Sequence, residues 1–240
     1  SGNTVLSIGL VQDQVIKYVS FSVGRGTFVI DGLKAISEDS VKLSKFTFTP
    51  LAGTAGDDVL HGSAGDDIIN ANDGNDIVYG RAGDDSINGG NGHDILYAED
   101  GNDTINGDAG NDTLYGGIGN DTLNGGADND ILIGGTGNDI LTGGAGADTF
   151  VWGIGDADGS TDVITDYSQA DNDVIDVSAL LDQLGWDNTM PTLSNFVTTH
   201  GTNTFDVHTA DLSQTVHITV TGQTFTDLAD LMAKTNLKID

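Results

Sequence analysis

Eleven aspartates recur every nine residues through the middle of the chain, and evenly spaced carboxylates of this kind can bind cations. They are Asp58, Asp67, Asp76, Asp85, Asp94, Asp103, Asp112, Asp121, Asp130, Asp139 and Asp148. Calcium takes about 6 to 8 carboxylate and carbonyl oxygens, whereas Mg²⁺ demands a stricter octahedron and gives up its water reluctantly. The spacing therefore predicts a series of calcium sites.

These aspartates occupy the sixth position of a nonapeptide that repeats eleven times, without insertion, over residues 53 to 151. Its eighth position is always large and apolar, and glycine is frequent at the first, second and fourth positions, where it permits positive φ angles. The last three residues suit a very short strand. A fixed period indicates a solenoid. Two repeats would form one turn, and stacked turns would place the eighth-position side chains between two parallel sheets.

The number of loops predicts how many ions bind, and the net charge of residues 53 to 151 agrees with that number. Residues 53 to 151 hold 19 acidic side chains against Arg81 alone, for a net charge of −18. If each ion lies between the loops of consecutive turns, the six odd-numbered repeats give five sites and the five even-numbered repeats give four. The predicted total is nine Ca²⁺, whose charge of +18 equals the deficit of the block.

The composition of the whole chain excludes several other partners. A formal charge of −29 repels nucleic-acid phosphates and anionic lipid. No apolar run approaches the length of a membrane-spanning helix, so no membrane insertion is expected. The chain has no cysteine for disulfides. Acids and glycines with few aromatic residues favour disorder, which we expect in the absence of calcium and not in its presence. The start at Ser1 predicts a piece of a longer protein.

The nonapeptide resembles GGxGxDxUx, the repeat of the RTX family of secreted bacterial proteins. The resemblance implies a parallel β-roll in which the eleven sixth-position aspartates are calcium ligands. Some repeats depart from the pattern: Asp128 replaces the fourth-position glycine, Ala71 and Ala98 replace the first, and Arg81 and Glu99 replace the second.

The C-terminal part resembles the type I secretion target region of large RTX proteins. It carries a DTFxW element at 148 to 152, a DxIxD[FY]-like element at 162 to 167, a DxID[VL]S element at 173 to 178 and a Leu-Lys-Ile-Asp tail at 237 to 240. The resemblance implies export through a type I ABC transporter complex. We expect strands at 149–152, 162–166, 174–177, 194–199, 203–208 and 214–220, and helices at 178–184 and 226–235, the second with Thr226 as its N-cap.

Other residues of the C-terminal part allow weaker hypotheses. An EF-hand that starts at Asp156 fails because its twelfth position is Tyr167, but a terminal calcium site with Asp156, Asp158 or Asp166 stays open against a solvated turn. His208 and His217 lie on neighbouring predicted strands near Asp206, where a zinc site is conceivable. Two uncoordinated histidines are favoured there.

We therefore expect an all-β chain with three parts: a β-rich N-terminal cap at 1–52, an RTX β-roll at 53–151, and a mixed β/α cap with the secretion signal at 152–240. No nucleophile with a neighbouring base stands out, so we expect no enzyme activity. The predicted role is a monomeric calcium-dependent folding and secretion segment of a large extracellular protein, an adhesin on the surface of a Gram-negative bacterium. The alternatives are the RTX module of a secreted hydrolase or epimerase, and a calcium-dependent glycan-binding module.

Overall fold

A computed structural model describes residues 51–153, 155–186, 193–209 and 212–239, and the backbone of four strands that precede them. Those strands are β1 (Val19–Ser22), β2 (Thr27–Ile30), β3 (Lys34–Ser37) and β4 (Ser40–Lys42). β1 pairs with β2 and β3 with β4, both antiparallel, which confirms β structure in this part. They belong to one compact unit and the residues from Leu51 onwards to another. The expected strand around Phe46 and Phe48 lies outside the described residues.

Successive strands of the second unit alternate between two parallel sheets. The strands are β5 (Leu51–Ala52), β6 (Val59–His61), β7 (Ile68–Asp73), β8 (Ile77–Ala82), β9 (Ser86–Asn91), β10 (Ile95–Asp100), β11 (Thr104–Ala109), β12 (Thr113–Ile118), β13 (Thr122–Ala127), β14 (Ile131–Thr136), β15 (Ile140–Ala145) and β16 (Thr149–Val151). From β5 to β14, each strand pairs in parallel with the strand two further on at a register of 18 residues, as in Leu96 beside Leu114. This confirms the predicted β-roll with two repeats per turn.

Most strands are longer than the sequence analysis predicted. We expected a very short strand over the last three positions of each repeat, but the complete strands span six residues, because the first three positions of the next repeat continue the ladder. In the pair β10 and β12, Tyr97 pairs with Tyr115, and the same register continues into the next repeat with Glu99 beside Gly117. The remaining turn comprises only the fourth to sixth positions.

Glycine serves two different purposes in the repeat. From the third repeat to the eleventh, the second and fourth positions all have positive φ, even where the residue is Arg81 (φ 86°) or Asp128 (φ 78°). First-position glycines do not share this conformation. The predicted positive φ is therefore wrong at the first position, where glycine is favoured because a Cβ would collide with neighbouring oxygens.

The core is a single file of eighth-position side chains between the two sheets. From Ile69 to Phe150 each of them is at most 1% exposed, whereas Leu60 at the first turn is partly buried. Burying a large apolar side chain contributes about 1.5–3 kcal/mol. One such residue in nine is a thin core, so the roll depends on interactions between turns as well.

The residues after Val151 extend both sheets and end in a short cap. The elements are β17 (Thr161–Ile164), β18 (Val174–Asp176), α1 (Ser178–Leu184), β19 (Val197–His200), β20 (Thr204–His208), β21 (Thr215–Val220), α2 (Leu228–Lys234) and β22 (Asn236–Lys238). β17 continues one sheet and β18 the other, so the ladders run across the predicted boundary at 151. β22 was not predicted; it pairs with β18.

The start of α2 also differs from the expectation. Its N-cap is Asp227, whose carboxylate accepts a hydrogen bond from the backbone N–H of Asp230. The predicted cap, Thr226, lies one residue earlier and instead donates its own N–H to the Asp230 carboxylate at 2.9 Å. Neither described helix has the length and hydropathy of a membrane span.

Candidate metal centre

The sixth-position aspartates form two columns, one along each row of turns. From Asp76 onwards, one oxygen of each carboxylate, Oδ1, accepts a hydrogen bond from the backbone N–H of the aspartate one turn earlier, as from Asp94 to Asp112 at 2.8 Å. These contacts run from Asp58 to Asp148 at 2.7–2.9 Å. Every turn is therefore joined to the next through an aspartate side chain.

The second carboxylate oxygen, Oδ2, is buried without a hydrogen-bond partner in nine of these residues. They are Asp76, Asp94, Asp112, Asp130 and Asp148 in one column, and Asp85, Asp103, Asp121 and Asp139 in the other. Each of the nine residues is at most 3% exposed. Buried polar atoms are almost always satisfied, and a buried charge is costly unless it is paired or binds a metal. Nine buried carboxylate oxygens in register are a donor set of the kind that an oxygen-ligated cation would bind.

The surroundings of Oδ2 fit an oxygen-ligated cation. At Gly80, a Cβ atom would lie 2.5 Å from Asp85 Oδ2 and 2.8 Å from the backbone oxygen of Ala98. A carboxylate and a carbonyl from consecutive turns thus border one small space. Ala71 and Ala98 place a methyl group at the equivalent position in two repeats. Across the described residues, no three His, Asp or Glu side chains form a group that could hold a metal. An ion in the roll would therefore need backbone carbonyls too.

The fifth-position side chains form a second set of hydrogen bonds between turns, in which the donor lies one turn after the acceptor instead of one turn before it. Here the side chain accepts the N–H of the residue one turn later, as Asp57 does from Asn75 at 2.8 Å and Asn111 from Asn129 at 2.9 Å. Aspartate, asparagine and His93 all serve as acceptors. A negative charge is not needed at this position, which explains why its residue type varies.

At both ends of the columns, protein donors bind the Oδ2 atoms. Asp58 accepts the N–H of Thr54, and Asp67 accepts that of Ser63, each at 2.6 Å. Both aspartates are only partly buried. The first two predicted ligands therefore differ from the other nine, all of which are buried with an unpartnered Oδ2.

Two aspartates beyond the repeats continue the columns, and the sequence analysis missed this. Asp162 accepts the N–H of Asp139, and Asp173 accepts that of Asp148, both at 3.0 Å. Their Oδ2 atoms accept the indole Nε1–H of Trp152 and the N–H of Ser168, each at 2.7 Å. The signal was present as ADNDVID at 170 to 176, which parallels ADNDILI at 127 to 133, but insertions displace it from the nine-residue period.

Burial raises the pKa of the column carboxyls, because desolvation disfavours the charged form. The nearby aspartates of neighbouring turns raise it further. The pKa is about 7 for Asp85, Asp112, Asp121, Asp130 and Asp162, about 8 for Asp139 and about 6 for Asp148. Without a counter-ion the folded roll therefore favours protonated carboxyls.

The three aspartates considered for a terminal calcium site make separate backbone contacts. Asp158 accepts the N–H groups of Gly137 and Ser160, and Asp156 accepts that of Gly153. Asp166 binds the N–H groups of Gly143 and Gly144, at 3.0 and 2.8 Å. These contacts fasten the C-terminal segment to the last repeats. A calcium site at these residues stays a prediction.

The two histidines considered for zinc have different surroundings. His217 contacts Asp206, with 2.7 Å between Nδ1 and Oδ1. His208 is buried and contacts Thr198 and Thr209 instead. The second imidazole beside Asp206 belongs to His200, which the sequence analysis did not consider.

Comparison with known proteins identifies the repeats. The family model for the RTX calcium-binding nonapeptide repeat matches four times, at residues 52–87, 79–114, 88–123 and 124–156. Residues 52–156 therefore carry RTX calcium-binding nonapeptide repeats. No curated protein matches the sequence.

Two solved structures are similar. The extracellular lipase LipA of Serratia marcescens shares 17% identity and a TM-score of 0.32, over 83% of this chain and 41% of the lipase. The AlgE6R3 subunit of the mannuronan C5-epimerase of Azotobacter vinelandii shares 23% identity and a TM-score of 0.27, over 80% of this chain and 82% of the subunit. The chain thus spans less than half of the lipase.

A pair of neighbouring substitutions tests whether Oδ2 is the metal ligand. Asp112 and Asn111 each accept one backbone N–H from an adjacent turn. Either substitution by alanine loses that hydrogen bond, worth about 0.5–1.5 kcal/mol. Only Asp112→Ala also removes an orphaned carboxylate oxygen, so we expect the larger fall in melting temperature in calcium. Equal losses, measured by circular dichroism at saturating calcium, would show that the sixth position is not the ligand.

The raised pKa values predict how pH acts on the metal-free roll. A carboxyl whose folded-state pKa is raised stabilises the fold below its ordinary pKa of 3.8, and this contribution is lost as pH rises through the folded-state value of about 6 to 8. In chelator we therefore expect more β circular dichroism at pH 5 than at pH 8. In calcium the dependence should reverse, since protons compete with the ion. A metal-free signal that is constant or rises over this range would contradict the prediction.

Proposed function

We propose that the chain is a segment that folds on binding calcium and serves the type I secretion of a larger extracellular protein. The observation that carries the proposal is the set of nine buried, unpartnered carboxylate oxygens. They divide five and four between the two columns, the same division that the loop count gives for nine ions. RTX repeats are of the calcium-binding type, which supports the identity of the ion.

The proposed ions act by balancing charge between turns. Nine Ca²⁺ would offset the net charge of −18 in residues 53 to 151. The proposed ligands are the eleven sixth-position aspartates, with Asp58 and Asp67 at the exposed end, together with backbone carbonyls. An ion between two loops would hold successive turns together. Ion-binding free energy then contributes directly to folding free energy.

The contacts of the C-terminal tail support the secretion part of the proposal. Tyr167, Asp173 and Asp176 lie in two of the four elements that resemble a secretion target region, and Lys238 lies in the tail element. Tyr167 Oη accepts the N–H of Asn236 at 2.7 Å, and the carbonyl of Asp173 accepts the Asn236 side-chain amide at 2.8 Å. Lys238 pairs with Asp176 at 2.8 Å. The elements that resemble one functional region thus contact each other, as expected if they act together.

In the proposed sequence of events, the chain stays unfolded where calcium is scarce and passes through a type I ABC transporter complex. It then folds outside the cell, where calcium is abundant. The N-terminal strands would cap the roll, and the folded chain would be a monomer without catalytic activity. The parent protein would be an adhesin at the surface of a Gram-negative bacterium.

The outer face of the roll does not favour glycan binding as the function. Tyr79, Tyr97 and Tyr115 form a row of rings with His61 on the sheet of β6, β8, β10 and β12. Tyr97 stacks on its two neighbours at centroid distances of 5.2 and 4.5 Å. Sugars bind aromatic residues through the ring face, and both faces of Tyr97 are covered. The row is better explained as cross-strand packing between turns.

Calcium titration tests the folding part of the proposal. Calcium added to chelated protein should cause a sigmoidal rise in β circular dichroism and a fall in hydrodynamic radius. Extracellular modules have dissociation constants on the order of 10⁻⁴ to 10⁻³ M, and we expect the midpoint in that range. Magnesium at the same concentration is the control and should have little effect. A chelated chain that is already compact and β-rich at pH 8 would refute this part.

Export of a passenger tests the secretion part. Residues 150 to 240, fused to a slow-folding passenger, should be secreted by a host with a matching type I system. The same fusion that ends before Thr224 lacks α2 and β22 and should remain inside. Secretion is measured as the fraction of passenger in the medium. Equal fractions for the two fusions would refute the assignment while leaving the calcium result unaffected.

A further inference from the structure

On the outer face of β19, β20 and β21, two histidines lie beside one aspartate. Asp206 lies on β20, with its Oδ1 2.7 Å from Nδ1 of His217 and its Oδ2 3.5 Å from Nδ1 of His200. His217 is its direct cross-strand partner on β21, and His200 is on β19. The two imidazole centroids are 6.5 Å apart. Three neighbouring strands therefore each contribute one side chain to this cluster, which we call the Asp206 cluster.

The aspartate fixes the tautomer of the imidazole that it contacts most closely. An ionised carboxylate only accepts hydrogen bonds, so Nδ1 of His217 carries the proton and Nε2 keeps its lone pair. Nδ1 of His200 lies 3.5 Å from the other oxygen of the same carboxylate. Histidines that bind metals almost always donate their other ring N–H to a carboxylate, a carbonyl or water. His217 has this arrangement, and His200 lies within ion-pair distance of the same carboxylate.

Exposure allows an ion to reach the cluster. The Asp206 side chain is 13% exposed and the His217 side chain 36%, so these two are held against the sheet. The His200 side chain is 74% exposed and can turn about its side-chain bonds to bring its Nε2 towards that of His217. The protein would supply two nitrogen ligands and water the rest, which agrees with the lack of a three-residue group among the described residues.

We propose that His200 and His217 form a surface site for a divalent transition-metal ion of the zinc class, with Asp206 as the residue that orients both rings. Neutral imidazole suits zinc, copper and nickel, whereas calcium takes oxygen ligands. The site differs in chemistry from the aspartate columns, and it lies beside the end of one of them, since β21 pairs with β17, the strand of Asp162. It does not depend on the proposed secretion function, because the fold alone brings His200 and His217 beside Asp206.

Calorimetric titration of zinc chloride into the full chain at saturating calcium tests the site. Calcium keeps the aspartate columns occupied, so zinc should bind with a stoichiometry of one. His200→Ala and His217→Ala should each weaken zinc binding by at least about tenfold, because each removes one of two protein ligands. Asp206→Asn should weaken it by about 10- to 100-fold, the usual effect of altering a residue that orients a ligand.

The exposed His61 provides a matched control, since it lies in the first turn of the roll. His61→Ala should bind zinc as the wild-type chain does. His200 is exposed, so His200→Ala should retain the calcium-dependent circular dichroism signal and remain interpretable. Wild-type protein that binds no zinc saturably, or a His200→Ala variant that binds it as tightly as the wild type, would overturn the proposal.

Discussion

Two columns of buried carboxylates are the constraint on which the rest of the roll depends. Each aspartate supplies one oxygen that joins its turn to the previous one and a second oxygen that has no protein partner in nine positions. Desolvation and the neighbouring aspartates both disfavour the charged form of these groups. A bound cation would offset both penalties, and without one the raised pKa values favour the protonated form as pH falls.

The other features of the repeat accommodate these columns. Residues with positive φ at the second and fourth positions confine the turn to three residues. The strands on either side of this short turn can therefore pair over six residues. The first position needs a small residue because oxygens from two turns border its Cα. The single file of apolar side chains is then continuous from Ile69 to Phe150. With one buried apolar side chain per repeat, the core is too thin to offset repulsion between carboxylates whose charge is not balanced.

At both ends of the columns, protein donors bind the carboxylate oxygens that have no protein partner elsewhere. At the C-terminal end, Trp152 and Ser168 donate hydrogen bonds to the oxygens of Asp162 and Asp173 that correspond to the orphaned ones. Thr54 and Ser63 play this part at the other end. The C-terminal tail then pairs with β18, the strand that follows Asp173. The last turn is thus completed by a strand that lies about 60 residues later in the sequence.

The sequence by itself determined the repeating unit. The invariance of the sixth and eighth positions was enough to predict the parallel roll, two repeats per turn, the buried file and the candidate ligands, because a solenoid repeats its local environment with its sequence. Only the tertiary structure decided what breaks that repetition. Asp162 and Asp173 join the columns across insertions, His200 comes beside Asp206 from another strand, and β22 pairs with a strand about 60 residues earlier. These are contacts between distant segments, whose register depends on how the intervening loops fold, and no local period encodes it.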